Sequence, residues 1–100
     1  MAHVITPITR LLIANRGEIA RRIMRTAHDM GISTVAIYAD ADANAPFVNE
    51  ADSAVALNGR TTAETYLDVG KVLHACRRSG ADAIHPGYGF LSENEAFAQA

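Results

Sequence analysis

The sequence predicts an α/β fold, an open and mostly parallel sheet with helices on both faces, and three observations lead to it. Four short apolar runs are continuous rather than alternating, as strands buried on both faces must be. Two longer segments between them repeat apolar residues at helical spacing. The resulting order of strand, helix, strand, strand, helix, strand calls for parallel pairing through right-handed crossovers.

Each element has its own signal. Residues Met1 to Thr9 carry Pro7 and no sustained periodicity, so they read as a mobile leader. Arg10 to Ala14 follows as a buried strand. Asn15 is placed to cap the next helix, with Glu18 reaching back from three residues on, and Ile19, Ile23, Ala27 and Met30 then mark an apolar face up to Gly31. Thr34 to Ala39 is β-branched and apolar, a second strand, closed by the turn-rich Asp40 to Pro46. Phe47 to Asp52 fits a short helical turn, Ser53 to Leu57 a third strand, and Asn58-Gly59 a turn. From Thr65 to Ser79 a helix is expected, with Tyr66, Val69, Leu73 and Cys76 on its apolar face and Gly80 beyond its end. Ala81 to His85 is the fourth strand. Past it, Ser92 suits an N-cap with Glu93 and Glu95 in the first turn, which leaves only about two turns of helix before Ala100. A chain that ends so soon reads as truncated at its C-terminal end.

Composition bounds the possibilities. One hundred residues suffice for one small domain, which buries about two-thirds of the surface its unfolded chain exposes. A net charge of −2 argues against a nucleic-acid or membrane-surface partner, and no apolar stretch approaches the ~20 residues of a membrane span. The single cysteine, Cys76, cannot form an internal disulfide, and a reducing, cytoplasmic setting is expected.

Several constellations invite a chemical reading. The turn Asn15-Arg16-Gly17-Glu18 lies where a dinucleotide fold carries its glycine fingerprint, but it has one glycine, and Glu18 would repel a pyrophosphate. Capping explains it better. Asp40 and Asp42 follow the second strand, where a ribose-binding acid could sit, yet turn chemistry accounts for them. Arg16, Arg21, Arg22 and Arg25 make the first helix basic, with Arg25 and Asp29 four apart on one face, as a solvated ion pair or a subunit interface would have them. Cys76 is core packing, and His3, His28, His74 and His85 lack metal-ligand spacing, so no metal site is expected. The loop Gly87-Tyr88-Gly89-Phe90 is less easily dismissed: its glycines let backbone approach a ligand while an aromatic is held between them, directly beyond a strand end fixed by His85-Pro86.

Three runs then carry a resemblance. IANRGEIARRI (13–23), YADAD (38–42) and AIHPGYGFLSEN (83–94) stand in the order and at the distances found in the N-terminal subdomain of biotin carboxylases, an ATP-grasp family. The chain resembles that subdomain over residues 10–100. The resemblance implies a Rossmann-like, pre-ATP-grasp sheet in an enzyme that uses ATP and Mg2+ to activate bicarbonate, through carboxyphosphate, and carboxylates biotin on a carrier domain. It implies as partners the rest of the biotin carboxylase domain, the biotin carboxyl carrier domain, a carboxyltransferase of an acyl-CoA carboxylase or related enzyme, and a second copy of the full enzyme. By the same resemblance Tyr88, Gly89 and Phe90 line the biotin side of the active-site mouth, and Arg25 and Asp29 lie at a dimer interface, Asp29 standing where the family has a glutamate. No catalytic or metal-binding residue transfers to this chain, which alone is expected to be inactive. Two other readings stay open: a subdomain of a different ATP-grasp ligase, and a non-catalytic module that binds a small ligand.

Overall fold

A computed structural model describes residues 8–85. Their elements are β1 (Arg10–Ile13), α1 (Gly17–Asp29), β2 (Ser33–Tyr38), a 3-10 turn (Asp40–Asp42), α2 (Pro46–Glu50), β3 (Ser53–Ala56), α3 (Val69–Ser79) and β4 (Ala83–His85). The four strands form one sheet in the order β3-β2-β1-β4, and every pairing is parallel. Leu11 faces Thr34 on one side and Ala83 on the other, so the first strand in sequence is central in space. The expected open parallel sheet is present.

Alternation along β1 splits the core into two layers. Ile13 joins Ala20, Met24, Ala36 and Phe47 beneath α1 and α2. Leu12 joins Val35, Ile37, Leu57, Tyr66, Val72 and Ala75 beneath α3. Nine-tenths or more of each of these side chains is withdrawn from water, and each large aliphatic among them contributes roughly 1.5–3 kcal/mol.

Local chemistry sets the element ends. Gly31 and Gly80 take φ of +75° and +72° after α1 and α3, the left-handed backbone that closes a helix. Asp68 caps α3, its carboxylate accepting from the Lys71 N–H at 3.0 Å. The Asp82 carboxylate accepts from the backbone N–H groups of Thr9 and Arg10 and from the Thr9 hydroxyl at 2.7 Å, clipping the start of β1 to the start of β4.

Three sequence expectations need correction. The capping box at Asn15 and Glu18 does not form: Arg16 is the N-cap, without a side-chain cap bond, and Asn15 Oδ1 accepts from the Arg16 N–H. Gly17, at φ +62°, turns the chain between Asn15 and the helix, and Glu18 pairs with Arg21 and Arg25 instead. The buried face of α1 is Ala20, Met24 and Ala27: of the expected stripe Ala27 is buried and Ile23 packs partly against the same core, but the face is turned by about 70°, and Ile19 and Met30 are exposed. Close approach of the helix to the sheet and to α2 favours alanine at two of these three positions, Ala20 and Ala27. Finally, α3 begins at Val69 rather than Thr65, and Tyr66 enters the core from the preceding turn.

Candidate functional site

Parallel sheets place their loops for chemistry at the carboxyl ends of the strands. Here that edge gathers the Asn15–Gly17 turn after β1, the Asp40–Asp42 turn after β2, Leu57 to Gly59 after β3, and His85 at the end of β4. Backbone bonds tie them together: the Ala14 N–H donates to the His85 carbonyl at 2.9 Å, and the Asp40 N–H to the Gly59 carbonyl at 2.9 Å. The end of β4 therefore lies beside the turn at Asn15.

A polar strut stiffens this edge. Asp42, with only 9% of its side chain exposed, accepts from Arg16 Nη2 at 2.5 Å and from the Tyr66 hydroxyl at 2.5 Å. The same hydroxyl accepts from the Ala39 N–H at 3.1 Å, and the Arg16 guanidinium stands 5.8 Å from the centre of the Tyr66 ring, within cation–π range. Burial, together with the hydrogen bond to Asp42, pushes the Tyr66 phenol well above its ordinary range. It stays neutral and donates, so the strut is a fixed brace and not a proton-transfer device. Three loops from three strands are thereby held in one arrangement, as a preorganised site requires.

Elsewhere the charges are structural. Arg21 Nε donates to Glu50 at 2.6 Å and links α1 to α2. Asp52 accepts from the Thr34 N–H at 2.7 Å, which holds its carboxyl below the usual range, and His28 Nε2 lies 3.3 Å from it. The Asp82 carboxyl is held low by its bonds to Thr9, and burial pushes the Cys76 thiol up. Among the described residues no three His, Cys, Asp or Glu side chains are placed to hold a metal ion, and no helix is long and apolar enough to cross a membrane.

The residues singled out from sequence fare unequally. Arg25 and Asp29 are exposed on α1, but the partner of Arg25 within the chain is Glu18, at 3.4 Å, and Asp29 makes no ion pair among the described residues. A distance of four along the helix allowed their pairing; the acid two turns earlier takes the arginine instead. Asp40 and Asp42 do form a turn, as expected, yet Asp42 also anchors the strut. Tyr88, Gly89 and Phe90 lie outside the described residues. The roles of Arg16 and Tyr66 were missed. Arg16 and Asp42 follow the ends of adjacent parallel strands, which was the available signal.

Sheet order, strand direction and a braced carboxyl edge define an α/β domain of the kind that presents loops to a ligand. The comparisons give its family: residues 7–100 match the biotin carboxylase N-terminal domain, and the chain belongs to that family. It is 58% identical over 99 residues to the biotin-dependent acyl-coenzyme A carboxylase alpha3 subunit of Mycobacterium leprae, covering 99% of this chain and 17% of that protein. It is 54% identical over 94 residues to the mitochondrial methylcrotonoyl-CoA carboxylase subunit alpha of Dictyostelium discoideum, covering 94% of this chain and 13% of the relative. Among solved structures, the Kluyveromyces lactis urea carboxylase superposes with a TM-score of 0.91 at 56% identity, over 92% of this chain and 8% of that one. The chain thus spans less than a fifth of these carboxylases.

Proposed function

We propose that this chain is the N-terminal part of an ATP-dependent biotin carboxylase that carboxylates carrier-bound biotin with bicarbonate, within an acyl-CoA carboxylase. The observation that carries the reading is the braced carboxyl edge of a parallel sheet, from which the strand leading into His85-Pro86-Gly87-Tyr88-Gly89-Phe90 emerges beside the Asn15-Arg16-Gly17 turn. Both runs lie within residues 7–100, the span that matches the family. In such an enzyme ATP activates bicarbonate and Mg2+ offsets phosphate charge. By the resemblance, the groups that hold ATP, Mg2+ and bicarbonate are assigned mainly to polypeptide outside this chain.

The contribution of this chain is positional. Asp42 and Tyr66 fix Arg16 and the loop after β1, and the end of β4 is anchored at the His85 carbonyl. On this reading Tyr88, Gly89 and Phe90 line the biotin side of the active-site mouth. The partners are the remaining biotin carboxylase domain, the biotin carboxyl carrier domain, a carboxyltransferase and a second copy of the full enzyme, in the cytoplasm. Dimerisation is assigned in part to the exposed Arg25 and Asp29 of α1.

The test is made in the full-length enzyme. Tyr88→Ala is expected to slow biotin carboxylation more than bicarbonate-dependent ATP cleavage, because only the first needs the ring to orient biotin. Equal losses in the two assays would remove Tyr88 from the biotin mouth.

A further inference from the structure

The outward side of α1 carries two different surfaces. On one flank Glu18, Arg21 and Arg25 form an ion-paired ridge. On the other, Ile19 and Met30 are 37% and 69% exposed, although large apolar side chains at helical spacing ordinarily face a core. Together with Ile8, Leu11, Ile23 and Ile84 they line a groove of about 780 Å³ between α1 and β4. An apolar trough of this size, rimmed by Arg22 and His85 and set against the last strand of the sheet, is a docking surface by composition.

We infer that the groove seats an amphipathic helix of the same polypeptide, C-terminal to residue 100, lying alongside α1. Topology argues for this occupant. The steps from β1 to β2 and from β2 to β3 run one way across the sheet and set α1 and α2 on one face; the step from β3 back to β4 sets α3 on the other. Among the described residues, therefore, the crossovers leave the face beside α1 bare, and parallel sheets are covered on both faces. The relatives supply ample chain: the urea carboxylase structure shares this fold at a TM-score of 0.91, and this chain is 8% of it. Charge refines the occupant. Arg22 makes no ion pair among the described residues, so the helix presents leucine- or isoleucine-like side chains to Ile19, Ile23 and Met30 and an acid to Arg22.

This inference rests on the chain being one part of a longer carboxylase, and its test is separate from activity. Met30→Cys in the full-length enzyme is labelled with a maleimide, and the rate at position 30 is read from the labelled peptide against the same protein unfolded in urea. Docking predicts labelling at least about a hundredfold slower in the folded enzyme, because the occupant must open before the thiol reacts. That protection is expected to persist when the enzyme is diluted to monomers. A rate within about threefold of the unfolded protein would show an open groove and overturn the inference, as would protection lost on dilution, which would make the occupant a second copy. Loss of biotin carboxylation with protection intact would count against the functional reading alone.

Discussion

Tyr66→Phe removes one oxygen and isolates the strut. The phenol ring stays in its layer among Leu12, Leu57 and Val72, but the Ala39 N–H loses its acceptor and the buried Asp42 loses a donor. A hydrogen bond to a charged group contributes about 1.5–3 kcal/mol, and a buried N–H left unpaired costs about 1–3 kcal/mol. Because the two groups share one hydroxyl and Arg16 still compensates Asp42, the losses do not add fully, and about 3 kcal/mol is expected. With a urea slope near 1.5 kcal/mol/M for a domain of this size, the unfolding midpoint falls by about 2 M. Circular dichroism at 222 nm follows the transition, with Tyr38→Phe as the control, since the hydroxyl of that half-buried tyrosine makes no hydrogen bond among the described residues. Its shift stays within about 0.5 kcal/mol. Equal midpoints for the two variants would refute the claim that the strut holds the carboxyl edge together.

Other expectations follow from the same contacts. Asp52 and Asp82 have folded-state pKa values below the ordinary 3.8, so the stability they add is complete above that value and is lost as pH falls through their folded values. Acid titration of the unfolding midpoint should show this decline below about pH 4, and a smaller one for Asp52→Asn. Gly80→Ala, at φ +72° and with a new methyl 3.1 Å from Arg10 Nη1, should cost about 1–2 kcal/mol in urea unfolding. Gly70→Ala, inside α3 with only Asp68 Oδ1 at 3.4 Å, should gain about 0.5–1 kcal/mol instead. Arg25→Glu in the full enzyme should weaken association, read by sedimentation; an unchanged dimer would remove Arg25 from the interface.

Strand and helix order were legible because both faces of a parallel sheet must be apolar, and continuous runs such as Thr34 to Ala39 admit few other readings. Gly31 and Gly80 were legible because a left-handed helix end strongly favours glycine. The orientation of α1 was not. Periodicity shows that Ile19, Ile23, Ala27 and Met30 share a stripe, but it cannot say that a close-packed neighbour will prefer Ala20 and Met24, one residue on. Tyr66 was misplaced for a related reason: helical spacing extended backwards through Asp68, although an acid accepting from the N–H three residues later stops a helix there. At the site, the chain order hid the strut, since its members are separated by 24 to 26 residues and meet only after the strands align.

The clip at Asp82 has a consequence for how the chain comes into being. It joins residues 73 positions apart, Thr9 near the beginning and Asp82 near the end, and the middle strand of the sheet is the one made first. During synthesis β1 can find β2 early, but its other edge stays unsatisfied until residues 83–85 clear the ribosome. For that interval the nascent polypeptide exposes an apolar ribbon with free peptide groups, the surface on which chains stick to one another. A gene fragment stopping just short of Asp82 should accumulate as aggregate, while one reaching a few residues further gives the middle strand its last neighbour.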